Sequence, residues 1–261
     1  MATRRNSAGQ LYSTRTGQFV DDPRHAALRD PVPVLDPAAF GDYQTPETML
    51  RGMAERMAGP FGGTALTVDG EVYQAGDAGG DEPPWLWKGV IRDAAGNQVG
   101  TFERSFLEDG TVCHADLHLA EEHQGKGFAT EFNRAAEAEY EQMGFHTIYT
   151  WAVGDGAYAW AKSFEFNDSS PNVWAARETI ARAMRREAEG EPFSINNMNP
   201  RKLAPEDKER VRRMADLVEA GNHDVTIRDV ADLAVDGFPE LGRKILKSGL
   251  GWPGRRRLGE V

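Results

Sequence analysis

Apolar and polar residues alternate through most of the stretch from 65 to 120, and the alternation predicts strands. Ala65–Gln74 alternates around Asp69-Gly70, a pair that reads as a short turn. The Gly-, Asp- and Pro-rich segment 76–84 reads as a loop. Trp85–Arg92 and Val99–Leu107 read as strands on either side of a turn at 93–97, and Glu108-Asp109-Gly110 turns into a further strand, Thr111–Ala120. Successive short turns make these an antiparallel meander. The period then changes. Residues 121–130 (EEHQGKGFAT) form a turn, and FNRAAEAEYEQM (132–143) repeats at helical spacing until Gly144. FHTIYTWAV (145–153) is a second β-branched and aromatic run, and AYAWAKSFEF (157–166) is most simply a helix.

The flanks are less strand-like. Thr45-Pro46-Glu47 has a capping threonine, a proline at the first helical position and an acid in the first turn, so a helix is predicted to about Ala58. Met49, Leu50, Met53 and Met57 share one face of it, a stripe best explained as core packing. Beyond Phe166, helices are predicted from Ser170-Pro171 to about Glu189 and over Pro205–Ala220, the latter closed by Gly221-Asn222. A shorter one starts at a cap formed by Thr226 and Asp229. Residues 191–203 read as a loop, and the final GWPGRRRLGEV, with Arg255–Arg257, as a solvated tail. Residues 1–45, rich in Pro, Gly and Arg with little apolar periodicity, are expected to form a flexible arm. Leu11, Tyr12, Phe19 and Val20 are its candidate anchors for a partner. The organisation expected is therefore an arm (1–45), an α/β domain (46–168) and a helical C-terminal extension (169–261) that covers its own apolar stripes on the core.

Composition narrows the function classes. With 261 residues and 40% hydrophobic content the chain can bury a real core. A formal net charge of −11 argues against nucleic acid as a partner, because that needs a basic face. Cys113 is the one cysteine, which excludes an intramolecular disulfide and a cysteine-based zinc site; inside a strand it reads as a buried, inert thiol. The first residues contain no apolar core of a signal peptide, and no segment approaches ~18 consecutive apolar residues. The expectation is a soluble, cytoplasmic protein.

The strand-to-helix turn carries the most specific chemistry. Gly125 and Gly127 let the backbone bend tightly and approach a ligand. The helix that follows begins with amides lacking intrahelical partners, and its dipole adds partial positive charge there. Such a turn suits phosphate or pyrophosphate. No GxxxxGK[ST] is present, and no GxGxxG follows a strand, so neither a P-loop nor a dinucleotide fingerprint is supported. On the preceding strand, strict alternation would place His114, Asp116 and His118 on one face and Cys113, Ala115, Leu117 and Leu119 on the other. Three readings of the first set compete. It is a polar sheet face with hydrogen-bonded histidines, or an acid–base group, or an HxDxH metal site. The last is weakened because alternate strand residues stand ~6.5–7 Å apart, and no metal is expected.

Gln124-x-x-Gly127-x-Ala129 after a strand resembles the Q/R-x-x-G-x-G/A loop of the GNAT superfamily, the acyl-CoA-dependent N-acyltransferases. The resemblance covers about residues 64–166. It implies a mixed, mostly antiparallel sheet with a central splayed parallel strand pair flanked by helices, an α/β fold in which the pantetheine arm lies between the splayed strands. By the same resemblance the co-substrate is acetyl-CoA or another acyl-CoA, held around Leu119, Gln124, Gly125, Lys126, Gly127, Phe128 and Ala129. The acceptor is an unidentified amine attacking the thioester directly. His118 is the first candidate for the base that takes the amine proton, with His114, Asp116 and Glu103 as alternates. Tyr158 stands nearest the family's general acid, although the stretch 154–166 lacks the Asn and the Gly-Phe pair that often accompany it. Those departures, and the long flanks, also fit a GNAT-like binding or structural module of a larger assembly without turnover, with the arm or the extension meeting a protein partner.

Overall fold

The computed structural model describes residues 3–5, 11–13, 45–61, 63–74, 85–191, 203–248 and 251–259. Two compact units are distinguished, Pro31–Thr150 with Arg257–Val261, and Met1–Asp30 with Trp151–Arg256. The expected arm and the loop at 191–203 fall mostly outside the described residues. Within 1–45 the described parts are two short strands, β1 (Thr3–Arg5) and β2 (Leu11–Ser13), paired antiparallel with Arg4 opposite Tyr12.

The first unit is α/β with a mixed, mostly antiparallel sheet, the fold class the sequence predicts. Helix α1 (Pro46–Arg56) starts where its cap requires: the Thr45 hydroxyl accepts from the Thr48 amide and Thr48 reciprocates. Strands β3 (Pro60–Phe61), β4 (Leu66–Gln74), β5 (Trp85–Arg92), β6 (Gln98–Phe106) and β7 (Thr111–Leu119) follow in spatial order as an antiparallel meander. Helix α2 (Phe128–Gln142) then returns the chain to β8 (Thr147–Ala152), which pairs parallel with β7. One face of the meander is apolar. Val68, Val72, Trp87, Ile91, Phe102 and Phe106 are buried on it. Above them, Phe132 of α2 meets Trp87 at 5.8 Å and Phe102 at 5.3 Å between ring centroids. Full burial of each such side chain contributes about 1.5–3 kcal/mol. Met49, Leu50 and Met53 of α1 are buried, as their spacing predicts, and Arg56 of α1 grips Glu139 of α2.

Asp69-Gly70 is not a turn. β4 runs unbroken through it, with Gly70 opposite Gly89 of β5. A Cβ on Gly70 would come within 2.7 Å of both Phe102 and Trp87, and one on Gly89 within 2.6 Å of Phe102. Gly70 admits the aromatic rings against the sheet, and Gly89 admits both the Phe102 ring and the β4 main chain at the Asp69 carbonyl and Gly70 Cα, which lie closer still.

The second unit carries α3 (Gly154–Trp160), β9 (Glu165–Phe166), α4 (Val173–Glu189), α5 (Pro205–Glu219), α6 (Ile227–Ala231), α7 (Leu241–Lys247) and β10 (Trp252–Arg257). Helix α3 is shorter than predicted, because the chain leaves it to form β9. Helix α6 has the predicted Thr226–Asp229 capping box. The expected solvated tail is strand β10: Gly254 pairs with Phe166, and buried Trp252 meets the Phe166 ring and donates its indole N–H to the Ala157 carbonyl at 3.1 Å. Among the described residues, no helix is long and apolar enough to cross a membrane.

Candidate functional site

Strands β7 and β8 pair only from Thr111↔Thr147 to His114↔Thr150. Beyond His114, among the described residues, Asp116–Leu119 has ladder partners on its β6 side alone, and Ala115 on neither side. The parallel pairing therefore stops midway along β7.

The parting coincides with a β-bulge. Asp116 stands opposite Glu103 and His114 opposite Arg104, leaving Ala115 without a partner. Because Glu103 and Arg104 are consecutive, their side chains lie on opposite faces, and so do those of Asp116 and His114. This overturns the expectation that His114, Asp116 and His118 share a face. His114 is 3% exposed, on the face covered by α2, with its ring 5.9 Å from that of Tyr140. Asp116 and His118 are exposed on the other face, in register with Glu103 and Thr101. The Thr101 hydroxyl donates to the Asp116 carboxylate at 3.1 Å, and Lys88 of β5 pairs with Glu103 at 2.8 Å. Cys113 faces Ser105 and so sits on the Asp116 side of the sheet, not with Leu117 and Leu119. Burial pushes its thiol up to about 11, as an inert side chain requires. An HxDxH ion site would need both faces at once; among the described residues no three His, Cys, Asp or Glu side chains converge on a metal position.

The loop that follows is built from local chemistry. Residues Glu121–His123 form a 3₁₀ turn, Gln124 is extended, and its side-chain amide reaches back to the Leu119 carbonyl at 2.7 Å. Gly125 has φ +70° and Gly127 φ +91°, backbone that side chains bearing a Cβ rarely adopt. Open space surrounds both, so it is the backbone conformation, not crowding, that calls for glycine. Gly127 is the N-cap of α2 and supplies no side chain to it; the first intrahelical bond runs from the Glu131 amide to the Gly127 carbonyl at 3.1 Å. The α2 start thus has no side-chain cap, and the helix dipole lies behind its first amides. Gly125, Lys126, Gly127 and Ala129 are exposed, while Phe128 is buried and anchors the helix through Phe61 and Phe132.

Tyr158 belongs to the other unit. It lies on α3, half-buried, with the Lys162 ammonium 5.1 Å and the Arg243 guanidinium 5.6 Å from its ring centre. The structure brings together Asp116 and His118, with Glu103 and Thr101 across from them, and separates His114.

Arg104 is the residue sequence reasoning missed. It is fully buried, with its Nη1 donating to the Asp116 carbonyl at 2.6 Å and the Glu103 carbonyl at 2.9 Å, and its Nη2 donating to Asn133 Oδ1 at 2.9 Å. A signal was present: Phe102-x-Arg104-x-Phe106 puts an arginine at the buried parity of an apolar strand.

No family model matches the chain, and no curated protein sequence matches it. Among solved structures, it is similar to a protein from Klebsiella pneumoniae subsp. pneumoniae put forward as an acyl-CoA N-acyltransferase. That likeness has 20% identity over 31% of this chain and 59% of that one, with a TM-score of 0.28. It is similar to nourseothricin acetyltransferase at 16% identity over 44% of this chain and 79% of that one, TM-score 0.28. A spermidine/spermine N-acetyltransferase from Vibrio cholerae matches at 32% identity over 26% of this chain and 41% of that one, TM-score 0.21. The chain spans about three fifths of the first of these structures and two fifths of the third. At such TM-scores these are local likenesses.

Proposed function

We propose that this chain is an acyl-CoA-dependent N-acyltransferase that moves an acetyl or similar group to an amine by direct attack. One observation carries the reading: β7 leaves its parallel partner at a bulge and runs straight into a glycine loop that opens an uncapped helix. A free strand edge next to an anion-binding helix start suits a ligand with an amide-bearing arm and a pyrophosphate. Pantetheine linked to the nucleotide of CoA is such a ligand.

In this reading the amides from Gly125 to Ala129 hold the pyrophosphate, with Lys126 adding a nearby charge, and Gln124 keeps the loop tied to the end of β7. The pantetheine amides pair with the Ala115–Leu119 edge. The amine nitrogen attacks the thioester carbon, the C–S bond breaks, and the carbonyl oxygen is stabilised by a backbone amide of that edge as negative charge develops. The amine must lose a proton, and His118, exposed beside Asp116, is the side chain assigned to take it. Tyr158 as the acid for the departing thiolate rests on the resemblance alone.

Calorimetric titration of acetyl-CoA into wild type and Ala129→Glu tests the reading. An acid in the first turn of α2 favours the helix while repelling pyrophosphate, so the variant separates binding from folding. Gly127→Glu would mix repulsion with strain at φ +91°. Micromolar binding by wild type that the variant loses supports the reading, and a screen of amines with wild type and His118→Ala then follows. Folded wild type that does not bind acetyl-CoA sinks it.

A further inference from the structure

A fully buried arginine on an apolar sheet face calls for a reason, since a hydrophobic residue of similar volume at such a site is often neutral or better for stability. The three hydrogen bonds of Arg104 supply one. Two go to main-chain carbonyls at the bulge, those of Glu103 and Asp116, where the register skips Ala115 and the ladder is interrupted. The third goes to Asn133, itself buried on α2, so the guanidinium is held from the helix side while it holds the strands. Its remaining surroundings are the Phe132 ring, 5.5 Å from Cζ, and Tyr140. The planar fork of an arginine fits this double attachment, because its donors diverge in fixed directions.

We propose that Arg104 is a positioning residue: with Asn133 it pins the β7 bulge, fixing the direction of the free backbone edge that follows. The inference builds on the acyltransferase reading, in which that edge aligns the thioester. Arg104 touches no substrate. It sits on the opposite face from His118 and acts through the main chain of Asp116.

The test compares wild type, Arg104→Met and Arg104→Lys in the full chain by three measurements. These are amide hydrogen exchange, acetyl-CoA titration, and acetyl transfer or slow acetyl-CoA hydrolysis. If Arg104 pins the bulge, Arg104→Met speeds exchange at Ala115–Leu117 while amides of β5 and α2 keep wild-type rates. Turnover falls roughly tenfold or more, the scale expected when a stabilising amide is misdirected, while acetyl-CoA affinity, held chiefly by the loop and only in part by the edge, falls clearly less than turnover does. Arg104→Lys keeps the charge and one donor, and should fall between; it decides the matter should the methionine variant not fold. Unchanged exchange at Ala115–Leu117 in a folded variant overturns the proposal, as does faster exchange spread evenly over the sheet and α2, the mark of a merely stabilising residue. If wild type fails to bind acetyl-CoA, the functional reading falls, and the exchange pattern alone still upholds or overturns the pin.

Discussion

Burial pushes the Cys113 thiol from an ordinary 9.0 up to about 11 and the Tyr140 phenol from 10.0 up to about 12, with the Arg104 guanidinium pulling against burial in both. Each group keeps its proton in the folded protein at pH values where the unfolded chain has lost it. The stability they contribute is therefore full below about pH 9 and is lost as pH rises, through about 11 for Cys113 and about 12 for Tyr140. For Tyr140, fully buried, the loss is on the order of 2 kcal/mol. Urea unfolding at pH 8, 9.5 and 11 should show a midpoint that falls with pH, and Tyr140→Phe should flatten the part above pH 10 while changing little at pH 8. A midpoint in Tyr140→Phe that falls as steeply as in wild type would assign the loss to other groups. The same residue scale explains what a single-residue reading of the sequence could find. Cys113 as a quiet thiol was legible from its place in a strand. The face of His114 was not, because it depends on one unpaired residue, Ala115, and the letters His-Ala-Asp look the same with or without a bulge.

At the scale of elements, local chemistry was read well and distant pairing poorly. The capping boxes at Thr45 and Thr226 are complete within three residues, so the starts of α1 and α6 follow from sequence. The Gly125–Gly127 turn, with the strand before it and the helix after it, follows from equally local patterns. β10 does not, since its partner β9 lies far back in the chain and Trp252 reveals nothing of its burial from its neighbours. Asp69-Gly70 carries the letters of a turn, yet its glycine answers to rings on two other strands. Gly70→Ala measures that directly. The added methyl would press on Phe102 and Trp87 at 2.7 Å and on the Lys88 carbonyl at 3.2 Å, so a loss of about 1–3 kcal/mol is expected in denaturant unfolding. A cost near zero would mean that the aromatic cluster is loosely seated.

For the molecule as a whole, a net charge of −11 leaves a field that draws cations. The exposed face of the meander adds to it where Asp69, Glu71 and Asp116 stand exposed. If the acceptor is an amine, a cationic one should show a KM that rises as salt is increased from 50 to 500 mM, on the order of severalfold, as the Debye length shrinks from about 14 to about 4 Å. A neutral amine should show little change. Equal salt dependence for both would remove the field from substrate selection. In the proposed reading, the amides at the start of α2 let so acidic a chain hold a polyanion, because their attraction is short-ranged and does not depend on net charge.

The bulge in β7 also behaves like a comma in a line of text. Pairing reads correctly before it and correctly after it, and Ala115 alone is the pause. Deleting that one residue should therefore leave both phrases intact: Arg104 would still face His114, and Glu103 would still face Asp116. The edited strand is expected to fold with its neighbours in unchanged register and to melt no lower than wild type. Without the pause, however, β7 would lose the register break that coincides with the end of its pairing with β8. In the proposed reading, a deletion variant that stays folded and still binds acetyl-CoA through the loop, but no longer turns it over, would identify one alanine, chemically silent, as the mark that divides a plain sheet from a working one.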